Sequence, residues 1–160
     1  MRLGGAAKAV ELRLGGRKDA ALAADLGLSV ALGDLALGLA ARDLGGDFDL
    51  RPGRLDAGER LSLDASIDGV QAGPLDLAAA GTLTRERDGD YVPAAGFEAA
   101  YWPVVGRTFV VRAGVRRVPE GPARSWTLGG AVRLDGFTLD YAYQPFDGLD
   151  AAHRFSVVWR

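Results

Sequence analysis

The sequence predicts an all-β chain, an antiparallel up-and-down transmembrane β-barrel or open curved sheet of about ten strands, with residues 1–160 as a single domain. Three observations predict it. Large apolar residues alternate with small or polar ones along most of the chain, the period of a strand whose successive side chains face opposite sides. Glycine, proline and aspartate break the alternation where hairpins would turn. The breaks also alternate in length, short then long, which is the connection pattern of outer-membrane barrels.

Taken in order, the stripes begin with Lys8, Val10, Leu12 and Leu14, followed by Leu22, Ala24, Leu26, Leu28, Val30 and Leu32. Leu35/Leu37/Leu39/Ala41, Leu61/Leu63/Ala65/Ile67 and Leu75/Leu77/Ala79/Gly81/Leu83 continue the rhythm. Phe97/Ala99/Tyr101, Phe109/Val111/Ala113/Val115 and Trp126/Leu128/Gly130/Val132/Leu134 follow, and the closing hairpin carries Phe137/Leu139/Tyr141/Tyr143 and Phe155/Val157/Trp159. Leu28, Leu39, Leu63, Leu77, Val111 and Leu128 are expected to face lipid. Residues 20–41 have the length of a membrane helix, but Asp25, Asp34, Gly27, Gly33 and Gly38 disfavour a helix interior. Strands explain the segment better.

Connections are expected at 15–19, 33–34, 44–58, 69–72, 87–90, 103–106, 118–123, 135–136 and 145–151. Two-residue loops at Gly33-Asp34 and Asp135-Gly136 fix two registers. Leu32 then pairs with Leu35, Val30 with Leu37 and Asp25 with Arg42, while Val132 faces Leu139 and Gly130 faces Tyr141. The same count places Tyr141 over a strand glycine that needs cover.

Composition narrows function. A formal net charge of -2 gives no basic stripe for nucleic acid, and the only lysines are Lys8 and Lys18. No cysteine is present, so disulfides and thiolate metal sites are excluded. Residues 1–16 lack the apolar run and cleavage site of an export signal, which suggests the C-terminal portion of a larger barrel. No phosphate loop, zinc signature or nucleophile elbow occurs. A non-enzymatic protein without cofactor or metal is expected.

A resemblance enters with specific residues. Asp25-Leu26-Gly27-Leu28, the run Leu37-Gly38-Leu39-Ala40-Ala41-Arg42-Asp43-Leu44-Gly45-Gly46, and Leu139-Asp140-Tyr141-Ala142-Tyr143 with Pro145-Phe146 and His153-Arg154-Phe155-Ser156 are similar in order and spacing to the PorV/PorQ family of outer-membrane proteins. Asp43 stands where the family usually has Asn, and Arg160 follows Trp159 where such barrels commonly end on an aromatic. The resemblance implies a barrel like that of the fatty-acid transporter FadL, with fourteen strands, of which this chain would be the C-terminal part. It also implies the bacterial outer membrane, contact with its lipid, and an accessory or cargo-shuttle role in type IX secretion with secreted cargo or secretion-machinery proteins as partners. A FadL-like channel for hydrophobic solutes and a soluble β-sheet binding domain are the alternatives.

Candidate residues follow from the strand pattern. Asp25, Arg42, Glu98, Arg112, Arg133, Asp140 and Arg154 are expected on the inner face, where an ion-pair network is the simpler reading and a solute path the sharper one. Tyr91, Tyr101, Trp126, Tyr143 and Trp159 lie near strand ends and suit membrane-interface girdles. Phe48 and Pro52, in the longest connection, are the candidates for partner contact. His153, the only histidine, cannot build a triad or a multi-histidine metal site.

Overall fold

The structure is a computed structural model that describes residues 1–14, 17–50, 53–56, 58–118 and 121–159. Twelve strands occur among them: β1 (Arg2–Leu14), β2 (Arg17–Leu32), β3 (Leu35–Leu44), β4 (Asp47–Leu50), β5 (Gly53–Asp56), β6 (Arg60–Ala72), β7 (Leu75–Glu86), β8 (Tyr91–Val104), β9 (Arg107–Arg116), β10 (Trp126–Leu134), β11 (Phe137–Gln144) and β12 (Ala152–Trp159). Ten of them form one antiparallel sheet in the order β1-β2-β3-β6-β7-β8-β9-β10-β11-β12. β4 and β5 pair separately as a hairpin. Residues 20–41 are strand, turn and strand, so the predicted all-β, up-and-down antiparallel arrangement is what the chain adopts. By contact density the chain divides into two compact units, Met1–Ala65 with Thr82–Tyr91 and Ser66–Gly81 with Val92–Arg160.

Both registers counted from turns hold near their turns. Leu32 pairs with Leu35 and Val30 with Leu37, as Val132 does with Leu139 and Gly130 with Tyr141. Gly33 and Gly136 have φ of 64° and 73°, the left-handed backbone a two-residue hairpin loop demands. Two-residue turns also occur at Gly73-Pro74 and Val105-Gly106. The connections expected at 69–72 and 103–106 are corrected accordingly, since Gly69 lies within β6 and Pro103 within β8. A register irregularity between Tyr101 and Val104 absorbs Pro103, whose missing N–H cannot complete a ladder. Two-residue turns follow β2, β6, β8 and β10, longer links follow β7, β9 and β11, and the β4–β5 hairpin lies between β3 and β6. In an up-and-down sheet that places tight turns at one end of the strands and longer links at the other.

The expected plain loop 44–58 contains β4 and β5. Another correction concerns β1. Lys8 pairs with Ala23 and Val10 with Ala21, which puts the Lys8/Val10/Leu12 stripe on the face opposite the β2 leucines. On the leucine face β1 presents Gly5, Ala7 and Ala9.

Exposure runs opposite to that of a water-soluble sheet, where the apolar face is the covered one. Along β3, Leu35, Leu37 and Leu39 are exposed while Ala36, Gly38 and Ala40 between them are half-buried. β9 repeats this with Phe109, Val111 and Val115 exposed against half-buried Thr108, Arg112 and Gly114. Among the described residues the buried apolar side chains are Ala21, Ala23, Val110, Ala131 and Pro145, and none is larger than valine. Of the six residues expected to face lipid, Leu39, Leu63, Val111 and Leu128 are exposed, and Leu28 and Leu77 are half-buried.

Candidate functional site

In the unit holding residues 92–160, cross-strand partners form rows that differ sharply between the two faces. One row on the apolar face is Ala99, Val111, Gly130, Tyr141 and Phe155, and the next is Phe97, Ala113, Leu128, Tyr143 and His153. The opposite face carries the row Glu98, Arg112, Gly129, Ala142 and Arg154. Small residues and charges therefore share one surface.

Arg112 organises that surface. Its Nε donates to Glu98 on β8 at 2.5 Å, and its Nη1 donates to Asp140 on β11 at 3.0 Å. Asp140 lies two strands away, about 9.6 Å at ~4.8 Å per strand, so the guanidinium must pass over β10. Gly129, directly opposite Arg112, gives it room. A Cβ added at Gly129 would sit 3.1 Å from the Tyr141 carbonyl oxygen and 3.7 Å from the Arg112 Cβ. Three predicted inner-face residues thus come together in one network. Each is about one-third exposed, so the network contributes specificity of register more than stability. Arg133 and Arg154 share the face, beside Thr108 and Ala142, but neither makes an ion pair among the described residues.

A trough of about 620 Å³ runs over this polar face. Ala78, Ala80, Gly96, Gly114 and Ala142 line it with short side chains, and Asp68, Glu98, Arg112 and Arg154 supply its charges. Such a surface can hold a solute or pass one. Among the described residues no group of three or more His, Asp or Glu side chains could hold a metal.

In the other unit, charges gather where β2 and β3 lose register. Leu26 pairs with Ala41 but Ala24 pairs with Leu44, so Arg42 and Asp43 both oppose Asp25. This is a β-bulge, and Asp43 takes a left-handed φ of 59°. The Asp43 N–H donates to the Asp25 carboxylate at 2.9 Å. Lys8 Nζ lies 2.8 Å from Asp25 and 2.5 Å from Asp43, while Arg60 reaches Asp43 at 3.0 Å. The expected pairing of Asp25 with Arg42 is therefore corrected: Asp25 pairs with Lys8, and Arg42 points to solvent. Turn counting cannot see a bulge placed seven residues from the turn. The Lys8-Ala23 register, which brings Lys8 to Asp25, was hidden by the connection expected at 15–19, since β2 already starts at Arg17, opposite Leu14.

The aromatic candidates occupy strand ends. Tyr91 opens β8 and Tyr101 lies near its end, on the same face, at 50% and 41% exposure. Trp126 opens β10, Tyr143 lies near the end of β11 and Trp159 closes β12. The rings of Trp126 and Tyr143 are 5.7 Å apart, Tyr143 and His153 5.4 Å, and Tyr141 and Phe155 5.0 Å. His153 Nδ1 lies 2.9 Å from the Tyr141 hydroxyl. That continuous band was not anticipated, though His153 and Tyr143 are cross-strand partners once the final hairpin is registered. Phe48 falls in β4, where only the backbone is described, and Pro52 lies outside the described residues.

Neither a family model, nor a curated protein, nor a solved structure matches the chain. The likeness to PorV/PorQ proteins therefore rests on the residue runs alone.

Proposed function

We propose that this chain is a non-enzymatic outer-membrane β-sheet protein whose leucine-rich face meets lipid. The observation that carries the reading is the inverted exposure found in each unit: Leu63 in one and Val111 and Leu128 in the other are 59%, 63% and 49% exposed, whereas their small and charged neighbours on the other face of each strand are the covered ones. Apolar patches beyond a few hundred Å² mark binding or membrane surfaces in soluble terms. Here exposed apolar residues recur along one face of β3, β9 and β10.

Dimensions support the same reading. Tyr91 and Tyr101 are ten residues apart on one face of β8, about 33 Å along a strand at ~3.3 Å per residue. With a tilt of about 40° that is a height of about 25 Å, the apolar band of an outer-membrane barrel between its aromatic girdles. The tight turns at one strand end and longer links at the other fit periplasmic and extracellular sides respectively.

The specific role we propose is that of the PorV/PorQ proteins the motifs resemble, receiving secreted cargo or secretion-machinery partners in type IX secretion. The short-lined trough favours a second role, passage of a hydrophobic solute. Carbonate-resistant partition with outer membranes and heat-modifiable gel mobility test the membrane reading, and a soluble, heat-indifferent chain refutes it. Pull-down of secretion partners against solute uptake by cells expressing the chain then separates the two roles.

A further inference from the structure

One aromatic side chain departs from the pattern of its neighbours. Every other phenylalanine, tyrosine and tryptophan in β8–β12 lies on the apolar face. Trp102 follows Tyr101 in β8 and turns to the polar face, where it is 46% exposed and lines a cavity of about 520 Å³ with Thr108 and Arg133. That volume is within the roughly 300–1,000 Å³ of small-molecule sites. The indole makes no ring contact among the described residues, and a membrane-girdle aromatic would belong on the lipid side.

Asp68, Asp76 and Glu98 bring three carboxylates to the same cavity against the single guanidinium of Arg133, so its charge is net negative. Glu98 is taken up by Arg112. The side chains of Asp68, Asp76 and Arg133 make no hydrogen bond or ion pair among the described residues. A purely structural network would join one of the carboxylates to Arg133, and neither is joined. We propose that this cavity binds an organic cation, with an alkylammonium group set on the Trp102 indole and Asp68 and Asp76 as its counter-charges. An indole face attracts an ammonium within about 6 Å of its centroid through the ring quadrupole, and the free carboxylates favour the same sign. Asp68, Ala78 and Glu98 line both this cavity and the 620 Å³ trough, so the two adjoin and an apolar remainder of the ligand can run over Ala78, Gly96 and Gly114. Arg133 is the opposing charge, and its removal should tighten binding. The site goes beyond the proposed solute passage, since equilibrium binding is its readout.

The chain has three tryptophans, so Trp126→Phe with Trp159→Phe leaves Trp102 as the one indole fluorophore. This full-length variant in dodecyl maltoside is titrated with choline chloride at constant ionic strength. A saturable change in Trp102 emission with a millimolar midpoint is expected, and tert-butylethanol, the uncharged carbon isostere of choline, should bind about tenfold more weakly or less. Asp68→Asn with Asp76→Asn should weaken choline binding about tenfold, whereas Arg133→Met should tighten it about threefold, both with strand content unchanged by circular dichroism. Absence of a saturable change with choline, equal binding of the alcohol, or a midpoint in Arg133→Met no tighter than the parent's overturns the proposal. Saturable binding of tert-butylacetate that is lost in Arg133→Met overturns it in favour of an anion site.

Discussion

Placing an arginine at Val111 separates a lipid-facing strand from a water-facing one by its energetic cost. Val111 is 63% exposed and lies opposite Gly130, the middle residue of β10. On a soluble sheet a substitution at so exposed a site changes stability within about 0.5 kcal/mol. At a bilayer midplane arginine on the lipid face costs about 2–4 kcal/mol, roughly a 30- to 700-fold change in the folding equilibrium at ~1.4 kcal/mol per decade. Ser66, which lines the trough with Asp68, should accept arginine at little cost. Gly129 is unsuitable as the control because any side chain there crowds the Tyr141 carbonyl. Equilibrium unfolding from lipid vesicles in guanidinium, followed by tryptophan fluorescence, gives the two values. Equal costs at Val111 and Ser66 would refute the face assignment.

Three further outcomes follow from the side-chain networks. A double-mutant cycle of Lys8→Met with Asp25→Asn should show coupling in unfolding experiments, while Arg42→Met with Asp25→Asn should be additive, and the reverse would reject the bulge. Asp43→Asn should be tolerated at its left-handed φ, whereas Asp43→Val should lose about 1–3 kcal/mol through backbone strain, measured by the same titration. Gly129→Leu should cost about as much stability in an Arg112→Met background as in the parent minus the Arg112 network, so that the two changes are less than additive; full additivity would mean that Arg112 does not cross β10 at that glycine.

Strand alternation was legible in the sequence because each face of these strands has its own side-chain size, and period two survives without knowledge of partners. The turns at Gly33-Asp34 and Asp135-Gly136 were legible because glycine beside aspartate between apolar runs has one economical backbone solution. Gly69 and Pro103 misled for the same reason, since both punctuate turns and here sit inside β6 and β8. The Glu98, Arg112 and Asp140 cluster could be placed on one face, but its geometry required two cross-strand registers and a glycine between them. Lys8 escaped notice because its alternation with Val10 and Leu12 resembled an apolar stripe, and the register with β2 turns that stripe to the charged face. The β4 and β5 hairpin is four residues per strand, too short for periodicity to reveal.

The most direct measurement of the central assignment is a nitroxide scan along β9, one cysteine at a time from Thr108 to Val115 in the cysteine-free chain reconstituted in bilayers. Accessibility to oxygen should peak at Phe109, Val111, Ala113 and Val115, and accessibility to a water-soluble nickel chelate should peak at Thr108, Arg112 and Gly114. In-phase accessibility to both reagents, with Val111 open to the aqueous chelate, would contradict a lipid-facing leucine surface.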